Sequence, residues 1–195
     1  MKHPGTTNLI NNEKNIFEWT NENLDRIKDI ISKYPKGRQQ SAVIPVLDLA
    51  QRQNNGWLTQ NIIEKVSNTL GMSFIRVMEV ATFYSMFNLQ PVGKNFIQVC
   101  RTTPCWLRGS NKLLKIAKEV AGCDIGQTSD DNNFTLVEVE CLGACCNAPM
   151  VQINDDYYED LSEKNFKELL LKIKNNEKIA KGSQIGRKSS EAERN

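Results

Sequence analysis

Histidine is almost absent from this chain, and its scarcity removes several kinds of chemistry. The single histidine, His3, lies in an N-terminal segment without apolar periodicity. Mechanisms that need an imidazole base, such as Ser-His-Asp or Cys-His catalysis, therefore have no candidate residue. Metal sites with histidine ligands, including mixed zinc sites and Rieske centres, are excluded for the same reason.

The chain also lacks segments that would direct it into or across a membrane. No stretch approaches the roughly 20 consecutive apolar residues of a transmembrane helix. The first seven residues have no apolar segment typical of a secretion signal. We therefore expect a protein of the bacterial cytoplasm that does not insert into the membrane directly.

Signals for nucleic-acid or nucleotide binding are missing as well. The 25 basic and 23 acidic residues give a net charge of +2, which does not favour a nucleic-acid partner. No G-x-G-x-x-G motif follows a strand-like run, and no P-loop is present. No dinucleotide or flavin site is therefore expected on this chain.

The chain does contain six cysteines, and four of them form two closely spaced pairs. Each pair begins at the end of an apolar, strand-like run, so both are predicted to lie in loops at strand ends. The pairs are Cys100 with Cys105, and Cys141 with Cys145. In a reducing compartment, clustered thiols favour metal binding over structural disulfides. Loops of this kind can bring four thiolates together around two irons, so the pattern indicates an iron–sulfur cluster.

Two other uses of these thiols compete with a cluster. A structural zinc site with four cysteine ligands stays open, although zinc ligands are usually spaced more tightly, often as C-x2-C. A thioredoxin-type dithiol needs a C-x-x-C motif, and the chain has none. Cys146 adjoins Cys145 and is interpreted as a neighbour of the ligands, because a C-x3-C spacing that includes Gly143 makes the better turn. Cys123 is interpreted as a packed thiol.

Apolar periodicity divides the chain into two parts and two tails. Residues 1–13 are predicted to be a disordered tail, and residues 14–90 carry apolar positions at helical spacing with stops between them. Four helices are predicted in this part, and they would form a small bundle. An aromatic group is assigned to the bundle core: Phe83, Tyr84 and Phe87.

Residues 91–175 change to the order strand, helix, strand, strand, helix, with the cysteines at the junctions. The predicted strands are residues 96–99, 134–139 and 150–153. Residues 176–195 are basic and have no apolar period, so they are predicted to form an extended arm. The fold class is therefore an α+β chain in two parts.

Two long stretches of sequence resemble a known family. They read V-C-R-T-T-P-C-W-L-R-G-S-N from Val99 and V-E-C-L-G-A-C-C-N-A-P-M-V-Q-I-N-D-D-Y-Y-E-D-L from Val139. With A-V-I-P-V-L-D-L-A-Q-R-Q and E-V-A-T-F-Y-S-M-F-N upstream, the chain resembles the small 2Fe-2S subunit of respiratory complex I, the E-type subunit of the bacterial NADH:quinone oxidoreductase. The resemblance covers about residues 18–172. It implies a helical bundle followed by a thioredoxin-like α/β 2Fe-2S ferredoxin domain without thioredoxin's redox dithiol.

The resemblance also implies ligands and partners. Cys100 and Cys105 would hold one iron of a single 2Fe-2S cluster, and Cys141 and Cys145 would hold the other. The chain would carry one electron as part of an oxidoreductase, with no substrate site of its own. Its implied partners are the flavin- and NADH-binding subunit, which would hold FMN and NADH, and other peripheral-arm subunits on the cytoplasmic side of the inner membrane. The alternative is a diaphorase subunit of an NAD-dependent hydrogenase or formate dehydrogenase.

The loops are expected to tune such a cluster through hydrogen bonds and charge. Backbone N–H groups of residues 101–103 and 142–144 are the expected donors to sulfur. Arg101 and Arg108 would favour the more negative reduced form, or would contact solvent or a partner instead.

Overall fold

A computed structural model describes residues 16–190, so the predicted tail at residues 1–13 lies outside the described residues. The chain divides into two compact units, Met1–Pro91 and Val92–Asn195. Within residues 16–190, no helix combines the length and apolar character needed to cross a membrane.

The described part of the first unit is helical, as the apolar spacing predicts. Its α-helices are α1 Asn21–Ser32, α2 Val43–Gln53, α3 Gln60–Leu70 and α4 Phe74–Phe83, with a 3-10 turn at Gln39–Ala42 before α2. Their apolar faces meet in one core that includes Trp19, Ile27, Leu47, Ile63 and Val77. This core is the predicted bundle interior.

The residues that precede α3 and α4 cap their helices differently. The Thr59 side chain accepts a hydrogen bond from the Ile62 N–H at 3.2 Å, which satisfies a free donor at the start of α3. Ser73 occupies the same position before α4, but its side chain makes no capping hydrogen bond. Helix α3 ends at Gly71 with φ of 61°, the left-handed conformation that glycine adopts without a Cβ penalty.

The prediction for the aromatic group at the end of α4 is correct for one residue and wrong for two. The helix stops at Phe83, and Tyr84 has extended ψ of 119°, so the helical spacing no longer applies beyond it. Phe87 is fully buried, whereas Phe83 is 78% exposed and Tyr84 39% exposed. The two exposed rings contact each other edge to face, with centroids 5.0 Å apart.

The second unit is an α/β layer structure. Its strands are β1 Asn95–Cys100, β2 Gln127–Thr128, β3 Phe134–Val139, β4 Val151–Ile153, β5 Asp156–Glu159 and β6 Gly182–Ser183. Its helices are α5 Thr103–Leu107, α6 Ser110–Ala121 and α7 Glu163–Lys174. The three predicted strands correspond to β1, β3 and β4. The other three, two of them only two residues long and the third largely polar, were not predicted.

The strands form one sheet in the order β2-β3-β1-β4-β5-β6. Strands β1 and β3 are parallel neighbours joined through α6, and Cys100 lies opposite Val139 in their register. Parallel neighbours end at the same edge of a sheet, so the turns that follow β1 and β3 begin side by side. Apolar residues of α6 and α7, including Leu113, Ala117, Phe166 and Leu169, pack against the sheet and form the core.

The entry to β1 depends on a glycine. A Cβ atom at Gly93 would lie 2.8 Å from the carbonyl carbon of Phe134 and 3.0 Å from the carbonyl oxygen of Asn132. Only glycine allows the backbone to approach this closely, and the Gly93 N–H donates to the Thr135 hydroxyl at 2.6 Å. The segment before β1 is therefore fixed against the start of β3.

The basic segment after α7, predicted to be an extended arm, contributes to the sheet. Its residues Gly182 and Ser183 form β6, which runs parallel to β5 in register with Tyr158 and Glu159. The segment from β6 to Ser190 then returns along the end of β5, where Ser189 and Ser190 contact the Glu159 carboxylate.

The unequal caps of α3 and α4 give a test of the helical unit. Replacing Thr59 with Val keeps the side-chain shape but removes the hydroxyl acceptor, and we expect a loss of about 1 kcal/mol in the free energy of unfolding. Ser73→Ala is the matched control and should cost much less, because the Ser73 side chain makes no capping bond. Urea unfolding followed by tryptophan fluorescence measures both. Equal losses for the two variants would contradict this assignment of the caps.

Candidate metal centre

The carboxyl ends of β1 and β3 hold both predicted cysteine pairs at one edge of the sheet. Cys100 is the last residue of β1, and Cys141 lies just beyond the end of β3. Cys105 lies on the short helix α5 rather than in an open loop, so that detail of the prediction is wrong. Cys145 begins a 3-10 turn, Cys145–Asn147.

The first pair is buried. Cys100 and Cys105 are each 1% exposed and pack with Ala144, Ala148 and Met150 in a small apolar cluster. The Cys100 sulfur lies 3.3 Å from the Thr102 hydroxyl. Burial raises the pKa of Cys105 to about 12, and the neighbouring Cys100 thiol adds to the rise, although a backbone hydrogen bond from Met150 acts against it. Without metal, Cys105 therefore keeps its proton at neutral pH.

The second pair is exposed, and its two sulfurs are 3.3 Å apart. The Gly143 N–H donates to the Cys141 sulfur at 3.4 Å. That hydrogen bond, with a second one from Cys145, lowers the pKa of Cys141. The same contact between the thiols raises the pKa of Cys145, because its proton is shared with Cys141. Cys141 is therefore the more readily ionised thiol of this pair.

The two pairs also interact with each other. The charge of Cys145 raises the pKa of Cys105, and the charge of Cys100 raises the pKa of Cys145. Across residues 16–190, no group of three or more histidine, cysteine, aspartate or glutamate side chains is gathered so that it could hold a metal ion. The thiols form two neighbouring pairs instead, and the four predicted cysteines occupy one region of the sheet edge.

This donor set fits a binuclear iron–sulfur group chemically. Such a cluster takes two thiolates at each iron, and the residues present here are two thiol pairs, one of them in an apolar setting. The buried pair would exclude water from one side of the group. Glycine at position 143 has φ of 86°, which allows the tight turn between Cys141 and Cys145.

The predicted hydrogen-bond donors are confirmed in part. Gly143 donates to sulfur, as expected for residues 142–144. The Arg101 N–H donates instead to the Val139 carbonyl at 3.1 Å, because this amide continues the pairing of β1 with β3. The Arg101 guanidinium forms an ion pair with Glu138, so its charge is compensated within the protein.

Three residues that support the backbone around Cys141 and Cys145 were missed by sequence reasoning. The Tyr157 hydroxyl donates to the Leu142 carbonyl at 2.6 Å, and the Asn147 amide donates to Glu159 at 2.6 Å. Tyr157 and Glu159 belong to β5, whose polar sequence gave no strand signal. The Asn-Asp sequence at residues 154–155, which forms the turn between β4 and β5, was the one available signal.

The remaining cysteines lie outside the two pairs. Cys123 packs against the core of the second unit, and burial raises its pKa, which agrees with its interpretation as a packed thiol. Cys146 is exposed, and its sulfur lies 3.2 Å from the Ser190 hydroxyl.

A family model and two sequence relatives give consistent results for this chain. The family model for thioredoxin-like 2Fe-2S ferredoxins matches residues 27–174. The flavoprotein 2 of mitochondrial NADH dehydrogenase (ubiquinone) from Dictyostelium discoideum is 52% identical over 181 residues, which cover 93% of this chain and 73% of the relative. The E-type subunit of NADH-quinone oxidoreductase from Rickettsia bellii is 55% identical over 159 residues, which cover 82% of this chain and 95% of the relative.

A solved structure agrees at the level of the fold. The crystal structure of an NAD+-reducing NiFe-hydrogenase in its H2-reduced state superposes with a TM-score of 0.59 at 21% identity, covering 67% of this chain and 23% of the hydrogenase chain. At that identity the likeness concerns the fold alone. The family match confirms the predicted fold class, and the identities of 52% and 55% confirm the family resemblance. This chain belongs to the thioredoxin-like 2Fe-2S ferredoxin family, with the E-type subunit of NADH-quinone oxidoreductase and its mitochondrial counterpart among its relatives.

Proposed function

We propose that this chain is the one-electron carrier of an NADH:quinone oxidoreductase, in the place of the E-type subunit. Its site would be a single 2Fe-2S cluster held by Cys100, Cys105, Cys141 and Cys145. The observation that carries the proposal is the placement of two thiol pairs at one sheet edge, in a chain 55% identical to an E-type subunit of such a complex. When bound, such a cluster accepts and releases one electron.

The residues of this chain would control the charge around that group. Cys100 and Cys105 are buried among apolar side chains, so added negative charge is costly on their side. Cys141 and Cys145 are exposed, so water or the polar groups of a partner can stabilise charge there. The Gly143 N–H supports the Cys141 sulfur in the same way. The exposed pair is therefore the side suited to electron exchange with a partner.

The partner would be the flavin- and NADH-binding subunit, which would hold FMN and NADH, together with other subunits of the peripheral arm. The relatives named as NADH dehydrogenase components support this assignment. Surface features near the cysteines suit a contact with another protein, because Trp106 is 52% exposed and Leu107 is 69% exposed directly after Cys105. The chain would act from the cytoplasmic side of the bacterial inner membrane.

A diaphorase subunit of an NAD-dependent hydrogenase is the second candidate, and one observation favours it. The fold superposes on part of an NAD+-reducing hydrogenase. The sequence identity of that match is 21%, against 52% and 55% for the NADH dehydrogenase relatives, so the first function is supported better. Co-purification of the chain with its native partners from the source cells separates the two candidates.

The first test of the proposal is the metal content of the chain. Protein purified without oxygen should contain iron and acid-labile sulfide in equal amounts, about two of each per chain. It should be reddish-brown, lose visible absorption on reduction, and then give a rhombic EPR signal. Colourless protein containing about one zinc per chain would establish the structural zinc alternative instead.

The second test concerns the buried pair. Cys105→Ser should remove or badly destabilise the cluster, because a hydroxyl is a poor substitute for thiolate and no other described sulfur lies on α5. Cys123→Ser is the matched control, since Cys123 packs in the core away from the pairs. Visible absorption per chain measures both variants. Retention of the full spectrum by Cys105→Ser would show that Cys105 is not a ligand.

The third test separates the adjacent thiols of the second turn. Cys146→Ala should leave the visible and EPR spectra nearly unchanged, because the Cys146 sulfur contacts Ser190 and not the paired thiols. Cys145→Ala, one position away, should lose most of the cluster, because the Cys145 sulfur lies beside that of Cys141. The reverse pattern would assign the fourth ligand to Cys146.

A further inference from the structure

We propose that residues 182–190, here called the C-terminal strap, position the turn that carries Cys145, and that Glu159 is the residue through which the strap acts. This inference rests on the cluster assignment proposed above. The strap lies beyond residue 174, where the family match ends, so its role does not follow from that match.

Glu159 is the central contact between the strap and the turn Cys145–Asn147, here called the cysteine turn. Its side chain is fully buried, and its carboxylate accepts hydrogen bonds from two different parts of the chain. Asn147, two residues after Cys145, donates through Nδ2 to Oε2 at 2.6 Å. Ser190 donates its backbone N–H to Oε2 at 3.0 Å and its hydroxyl to the same oxygen at 3.1 Å. A carboxylate only accepts, so it suits this ring of donors.

Asp160 extends the same arrangement through an arginine of the strap. The Arg187 Nη1 lies 2.9 Å from the Asp160 carboxylate, which is 4% exposed. The Nη2 of the same guanidinium donates to the Cys146 carbonyl at 3.3 Å. The Ser183 hydroxyl donates to the other carboxylate oxygen of Asp160 at 2.6 Å. The planar guanidinium therefore joins the end of β5 to the backbone of the cysteine turn.

The strap also contacts the turn directly. Asn147 Nδ2 donates to the Lys188 carbonyl at 2.9 Å, in addition to its bond with Glu159. The backbone after β5 contributes as well, because the Asp160 N–H donates to the Asn147 carbonyl at 2.8 Å. Contacts from the strap and from the end of β5 therefore meet at residues 146 and 147, immediately after the fourth cysteine.

The hydrogen bonds of the strap matter for the position of the second cysteine pair, because that pair is exposed. The first pair is held by burial, but Cys141 and Cys145 have little apolar packing to fix their sulfurs. Ala144 and Ala148, on either side of the cysteine turn, pack beside the first pair. The residues between them are held by hydrogen bonds at Cys146 and Asn147, and bonds to charged groups are the stronger kind. Loosening the strap should therefore affect the second pair selectively and leave the first pair in place.

The experiment shortens the chain at two points. A stop codon after Gln184 retains β6 but removes Arg187, Ser189 and Ser190, whereas a stop after Ser190 removes only residues 191–195 and is the matched control. A point variant, Glu159→Gln, replaces one acceptor oxygen with a donor that faces other donors. Its control is Glu168→Gln, an exposed carboxylate on α7.

Hydrogen exchange of the full-length chain and its variants, as purified, gives the first result. Amides of residues 142–148 should exchange about tenfold faster in Glu159→Gln and in the shorter truncated chain, the size expected from losing hydrogen bonds to a charged group. Amides of residues 100–107 should not change. Equal acceleration in both segments would show a general loss of stability and contradict the selective role, and no acceleration would overturn the proposal.

The second result comes from the cluster itself. The same two variants should still bind iron and sulfide, but should lose them to a chelator about tenfold faster than the controls, with a changed EPR line shape after reduction. Unchanged loss rates and spectra would contradict the positioning role. If the unaltered chain binds no iron while exchange at residues 142–148 still depends on the strap, then the proposed function fails and the structural assignment of the strap survives.

Discussion

The parallel pairing of β1 with β3 is the constraint on which the candidate site depends. Cys100 and Cys141 are 41 positions apart in sequence, yet the register that sets Cys100 opposite Val139 starts both cysteine turns at one edge of the sheet. Helix α6 makes this pairing possible, because a parallel connection needs a crossover that returns to the same edge. The carboxyl edge of a sheet is also where α/β folds commonly place their ligands. Packing of α6 and α7 on the sheet therefore stabilises the site as well as the fold.

The two thiol pairs of the proposed metal site differ in their surroundings. Burial fixes Cys100 and Cys105 in place, and it raises the pKa of Cys105 to about 12. Exposure leaves Cys141 free to ionise, and a backbone N–H lowers its pKa further. As a ligand, Cys105 would bind metal as the thiolate and would release its proton on binding. One side of the proposed site is therefore buried, and the other is exposed.

Sequence reasoning was accurate where periodicity and spacing carry the information. Helices of the first unit, strands β1, β3 and β4, and the position of both cysteine pairs at strand ends all follow from apolar patterns. It was less accurate where polar contacts or helix ends decide the structure. Strand β5 reads Asp-Tyr-Tyr-Glu and has no apolar alternation, and Phe83 is exposed where α4 ends. Arg101 was expected to act on a cluster or to contact solvent or a partner, and its ion pair with Glu138 was not foreseen.

The strap shows why such contacts escape a reading of the sequence. Its residues are basic and small, and composition alone indicates an extended arm. Its position depends on buried carboxylates at Glu159 and Asp160, which are distant in sequence and themselves lie in or beside an unpredicted strand. Burying carboxylates is costly unless donors surround them, so the strap and the Asn147 side chain also stabilise β5. The strap contacts Cys146 and Asn147, directly after Cys145. The position of Cys145 therefore depends on a part of the chain that contains none of the candidate ligands.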